Sequence, residues 1–239
     1  MVTPSFSLLW TKVLWYVMAA FLLLLGGAMC LYPDASGQPG GYPFRNEFLS
    51  ALGMTKTHEG VPSLLPCVLF NAGLGMTMLA LVPFWVMRSR CLRGGYCVQA
   101  LALVCCCGLS FGLTGVALTP YNLQPHWHNV AVYSAFAMIV PGILIMLFFA
   151  RDDYCSSAYK LGWLVAGLGL LLAQWLAVSL IHQHRLPSRP TSPLIQKVNV
   201  LVFMLWVAAE LVLFRRYVAA RQAAAFVPAA NPEDGGAPG

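Results

Sequence analysis

The chain is poor in charge: Asp, Glu, Lys and Arg make up 9% of its 239 residues, while apolar types make up 59%. A soluble domain carries about 25% charged residues, so this composition excludes a water-soluble globular protein. Acidic residues are the scarcer kind, 8 against 14 Lys and Arg, for a net charge of +6. Within the long apolar runs Glu210 is the single carboxylate, so the paired mid-depth charges that mark many transport paths are missing. The 5 histidines also avoid those runs. That excludes two axial imidazoles facing each other across a bundle, and with them a bis-histidine haem. No repeat with the period of inverted transporter halves is present, and no nucleophile–base pair stands out.

What the chain does have is length in its apolar runs. Crossing about 30 Å of hydrocarbon takes about 20 residues of helix, and six stretches meet this: 8–31, 63–87, 96–118, 130–150, 161–181 and 194–214. The expected fold is therefore all-α, a polytopic membrane protein with a six-helix transmembrane domain over residues 1–221. The first run is too long for a secretory h-region and has no small-x-small cleavage site after it, so it is expected to stay as a signal anchor. Residues 222–239, ending Asn-Pro-Glu-Asp-Gly-Gly-Ala-Pro-Gly, are too polar to pack and read as a disordered cytoplasmic tail.

Lys and Arg are retained on the cytoplasmic side of short loops. An even number of spans puts both termini with Lys12, Arg88, Arg90, Arg93, Arg151, Lys160, Arg215, Arg216 and Arg221. The other side holds fewer: Arg45, Lys56, Arg185, Arg189 and Lys197. Both termini are expected to be cytoplasmic, in a plasma or bacterial inner membrane. This bias accounts for the net positive charge without a nucleic-acid partner. Glu210 lies one turn from Arg215 and Arg216, which makes a snorkelling or paired interfacial carboxylate the expected reading.

The longest connection, 32–62, opens with a Gly/Pro-rich run. It continues into Phe44-Arg-Asn-Glu-Phe-Leu-Ser-Ala-Leu-Gly53, where Phe44, Phe48, Leu49 and Leu52 mark one apolar face and Gly53 a stop. A short helix at the outer interface is expected there, as a packing lid or a functional one. Ser192-Pro193 reads as an N-cap and first turn, starting the last span near Leu194. Gly108, Gly112 and Gly115, and also Gly162, Gly167 and Gly169, are small residues that let helices approach closely in lipid.

Polar residues at membrane depth are costly unless partnered or facing a wet cavity. Asn71, Thr114, Gln174 and Asn199 fall in the outer halves of their spans, on the side that holds every histidine. With Asn46, Glu47, Ser50, Thr119, Asn122, His128 and Asn129 they make either an outward-opening ligand pocket or a set of separate interhelical hydrogen bonds. His126/His128 and His182/His184 form two His-x-His pairs. Brought together they would supply imidazoles to a transition metal, although in a helix the two rings of each pair point to different faces; otherwise no cofactor is expected. Cys105, Cys106 and Cys107 read as small core residues, and Cys30 and Cys67 share the outer side as an open disulfide question.

The segment Asn46-Glu-Phe-Leu-Ser50-Ala-Leu52-Gly53, with Phe70-Asn-Ala-Gly-Leu74 and Gly115-Val-Ala-Leu-Thr-Pro120 running to His128, resembles the membrane family catalogued as domain of unknown function 998. That family is distantly like the six-helix damage-regulated autophagy modulator group. The resemblance covers the first four spans. It implies a six-helix fold with Asn46, Ser50 and Gly53 in the first outer loop, Asn71 below them and His128 opposite. The chain departs from the family in Ala51 and Asn122, where the pattern often carries acids. The family brings no established chemistry.

Three functions follow as expectations. One is a non-enzymatic membrane protein that binds or senses a lipid or small polar ligand in the outer pocket, or scaffolds other membrane proteins. A second is a membrane-embedded, metal-dependent lipid-modifying hydrolase, with His126 and His128 as ligands or base and Ser50 or Glu47 assisting. A third is a small transporter with Asn71, Gln174 and Glu210 along its path.

Overall fold

A computed structural model of the chain describes residues 4–183 and 188–225. Among these, six helices run in order: α1 Pro4–Cys30, α2 Leu64–Ser89, α3 Gly95–Leu118, α4 Pro125–Phe148, α5 Ser157–His182 and α6 Ser188–Ala225. A short 3-10 helix, Leu49–Gly53, lies between α1 and α2, and no strand is present among the described residues. Each of the six helices is long and apolar enough to cross a bilayer. The architecture is that of a membrane-embedded helical protein.

Two boundaries differ from the sequence expectation. Helix α6 begins at Ser188 instead of near Leu194, with Pro193 inside it. Pro190 falls among the first N–H positions, which have no intrahelical acceptor in any helix, so only Pro193 gives up a bond. At its other end α6 continues through Ala225, so 222–225 are helical, and the rest of the expected tail lies outside the described residues.

Helices α1, α2, α3, α4 and α6 form the packed body. At its centre Trp85 of α2 stacks on Trp206 of α6, with ring centroids 5.6 Å apart and planes 18° from parallel. Phe84 meets Phe214 edge-on beside them. The α3–α4 seam is made of small residues, as expected. A Cβ on Gly112 would stand 2.9 Å from the Cβ of Ala135 and 3.0 Å from its backbone, and one on Gly115 would stand 3.1 Å from Ala131. Hydrophobicity does not drive association between helices already in lipid, so such close contact supplies it through dispersion.

Helix α5 is different. None of its described side chains is buried, and a Cβ on Gly162, Gly167 or Gly169 would meet nothing within 4 Å. The expectation that these glycines seat a neighbouring helix is corrected: they face open space.

Ser7 of α1, Met87 of α2 and Tyr217 of α6 line one cleft, which puts the start of α1 and the end of α6 at the same end of the bundle. There the connections after α2 and α4 are joined, the Arg93 N–H donating to the Phe149 carbonyl at 2.8 Å. At the opposite end the long first connection folds down over the bundle and reaches α6.

Candidate functional site

The first connection is anchored by backbone carbonyls. Lys197 of α6, counted in the sequence among the outer-side cations of the last span, is buried. Its ammonium donates to the carbonyls of Glu47 and Pro193 and lies 4.9 Å from the ring centre of Phe44 and 5.3 Å from that of Tyr42. Next to it the Gln196 side-chain oxygen accepts from the Leu49 N–H at 2.7 Å. Glu47 carries its carboxylate 3.3 Å from the His58 ring nitrogen. Tyr42 donates its hydroxyl to the Glu47 carbonyl. Tyr32, packed edge-on against Tyr42, is pushed up to about 12 by burial first and by the charges of Glu47 and Glu59 next.

These contacts seat the 3-10 helix. Leu49, Ala51, Leu52 and Gly53 are buried, so the expected interfacial helix is a short plug docked between α2 and α6. Asn71 donates to the Gly53 carbonyl at 3.0 Å and to the Cys67 sulfur at 3.3 Å, while the Cys67 thiol donates to the same carbonyl at 3.1 Å. A Cβ on Gly53 would stand 2.5 Å from the Asn71 side-chain oxygen, so only glycine admits this approach. Cys30 and Cys67 are both free thiols.

The remaining expected site residues divide. Asn122 makes two bonds to Thr55, accepting from its N–H at 3.0 Å and donating to its hydroxyl at 2.8 Å. His128 is buried and its Nδ1 faces the Thr119 carbonyl at 2.7 Å. Because a carbonyl only accepts, that nitrogen carries the proton. Thus Glu47, Ser50 and Asn71 are gathered by the plug, and Asn122 and His128 fasten neighbouring loops. Asn46 and Asn129 are exposed and Asn199 faces a different space, described below.

His126 is exposed against Trp127 while His128 is buried, so the two rings diverge as helical spacing requires. Among the described residues no three His, Cys, Asp or Glu side chains gather as a metal would need. His184 and the side chain of His182 lie outside the described residues.

A more strictly apolar space lies elsewhere. Between α4, α5 and α6 lies a cavity of about 360 Å³, walled by residues such as Phe136, Ile143, Trp163, Leu171, Phe203 and Trp206. Ligand sites commonly span about 300–1,000 Å³. Gly167 contributes open room to it, and Asn199 is its polar side chain. Asn199 and Trp206 are seven residues apart, on one face of α6. The Trp206 N–H is buried and has no hydrogen-bond partner among the described residues. Leaving such a donor unmade costs about 1–3 kcal/mol. Its stacking partner Trp85, in contrast, donates to the Ser110 hydroxyl at 2.9 Å.

One turn beyond Trp206, Glu210 is fully buried. Its expected pairing with Arg215 and Arg216 is corrected: the carboxylate accepts from Arg88 Nε at 2.6 Å, from Tyr154 at 3.0 Å and from Tyr159 at 3.1 Å. The Arg88 guanidinium also lies 3.8 Å from the centre of the Tyr154 ring. Burial, and then the charge of Glu210, holds the Tyr154 hydroxyl well above the usual phenol range, so it stays a donor. Tyr159 leads back to the cavity through its edge contact with Trp163.

Compared with protein-family models, with curated proteins and with solved structures, the chain matches none. Its site therefore rests on its own geometry. Sequence reasoning passed over Trp206 because a tryptophan in a span reads as core. Arg88 was placed among the topology signals. The one usable hint was that a lone intramembrane acid needs a cation, and Arg88 is the basic residue at the end of the second span.

Proposed function

We propose that the chain is a non-enzymatic integral membrane protein that binds a lipid in the cleft between α4, α5 and α6, with both termini on the cytoplasmic side. The observation that carries this reading is the cleft itself, an apolar space of ligand size against a helix none of whose described side chains is buried. Three membrane-crossing helices line it, so what reaches it comes from the hydrocarbon, and a lipid tail matches its walls. The orientation is supported by the Lys and Arg residues gathered at the end of the bundle that holds the termini.

This moves the ligand from the polar loops to the bundle interior. Asn71 and Asn122 are engaged in holding the first connection, which favours a structural task for the residues that resemble domain of unknown function 998. We place the chain near that family as a proposal, supported by the way Gly53 and Asn71 fit together. The hydrolase reading has less support, since His126 and His128 diverge and Glu47 is turned to His58.

The test is lipid retention. A side chain at Gly167 enters open space, so Gly167→Phe is expected to fill the cleft without displacing a helix. Native mass spectrometry of detergent-purified protein should show lipid retained by the wild type and at least about 5-fold less by Gly167→Phe. Equal retention would refute the cleft as the site.

A further inference from the structure

A second cleft, of about 530 Å³, opens at the end of the bundle that holds the start of α1 and the end of α6. Its walls change character along α6. Phe214, Tyr217, Val218 and Arg221 recur at the three- and four-residue spacing that puts them on one face of the helix, apolar first and basic last. The same order is repeated on α2, from buried Met87 to exposed Arg90 at the C-cap. Met87 and Phe214 are also where the apolar runs 63–87 and 194–214 end. The cleft therefore passes from apolar walls to two guanidiniums over the stretch where α2 and α6 leave the hydrocarbon.

The acids at this end are already engaged. Arg93 and Lys160 reach Asp152, and Arg151 and Arg221 reach Asp153. Glu210 is sealed inside the bundle with Arg88. Among the described residues Arg90 enters none of these pairs, and it is exposed. Arg221 gives one nitrogen, Nη2, to Asp153, in a pair whose side chains are 55% and 48% exposed. A guanidinium has five N–H donors, so most of the Arg221 fork stays open to a second acceptor. The cleft thus carries positive charge that the protein does not neutralise, on planar donors that suit the oxygens of a phosphate.

We infer that this cleft binds an anionic phospholipid, with its phosphate on Arg90 and Arg221 and an acyl chain along Met87, Phe214 and Val218. The apolar walls below the arginines call for a lipid and not for a free anion. A zwitterionic headgroup brings its own cation, which the two arginines repel, so selection falls on a headgroup with net negative charge. The site is separate from the cleft between α4, α5 and α6 and does not depend on it.

The experiment reconstitutes the full chain in nanodiscs of equal phosphatidylglycerol and phosphatidylcholine with the same acyl chains, and counts the lipids still bound after release by native mass spectrometry. The wild type should retain phosphatidylglycerol over phosphatidylcholine by at least about 5-fold, what a single basic residue near an anionic surface contributes. Arg90→Gln/Arg221→Gln should abolish that preference. Arg215→Gln/Arg216→Gln removes the same charge from the same end of α6, but from side chains that do not line the cleft, and should keep it. Equal loss in the two double variants, or no preference in the wild type, would overturn the inference. A wild-type dimer that Arg90→Gln/Arg221→Gln separates, with no lipid preference, would overturn it too and make a second copy the occupant. Should that double variant not fold, Arg90→Gln alone, which breaks no ion pair, decides, and an unchanged preference counts against the site. Gly167→Phe should leave the phosphatidylglycerol preference intact. Its loss there would place the retained phospholipid between α4, α5 and α6 and sink the inference while sparing the lipid-binding reading above.

Discussion

Glu210 and Arg88 are each almost completely buried, and each is the other's neutralising charge. A buried ion pair gains little over apolar packing, but breaking it strands a charge, at about 3–5 kcal/mol. Glu210→Leu alone and Arg88→Met alone are therefore expected to lower stability by that amount in detergent unfolding. The double variant should recover most of the loss, and additive effects would show that the two side chains are not coupled. The existence of a problem at Glu210 was legible, since an acid within a span must be answered. The identity of the answer was not, because the two residues stand 122 positions apart and meet only through the rotation of α2 against α6. Trp206 was illegible for a different reason: an unmet donor is a property of what surrounds it.

Helices were legible in the chain because the bilayer imposes length and apolarity on anything that crosses it. Their contacts were legible only in part. The glycines of α3 and those of α5 look alike in sequence, yet Gly112 lies against the Ala135 backbone while Gly162 faces nothing. Gly112→Ala is expected to force α3 and α4 apart at an overpacking cost of about 1–3 kcal/mol. Gly162→Ala should be neutral or stabilise by up to about 1 kcal/mol through helix propensity. Thermal unfolding of the two variants in the same detergent checks the contrast, and equal effects would count against this seam. The start of α6 escaped the sequence because a proline is a weak stop when it falls in the first turns of a helix.

For the molecule as a whole, five helices carry the packing and α5 is held at its edge, where Tyr159 reaches Glu210. The opposite end is closed by the plug, and its aromatic clasp makes stability depend on alkaline pH. Tyr32 ionises near 10 in an unfolded chain and near 12 here. Below 10 both states hold the proton and the contribution is constant. Between 10 and 12 the unfolded chain binds fewer protons, so stability falls as pH rises. Unfolding measured at pH 9 and 11 should show a larger loss for the wild type than for Tyr32→Phe, and identical losses would contradict the shift.

The clasp of Lys197 on the Glu47 carbonyl joins residues 150 positions apart, with four of the six described helices threaded between them. A ribosome delivers Glu47 long before Lys197. Throughout most of translation the nascent plug has only α2 to rest on, and its clasp to α6 closes after the final helix has arrived.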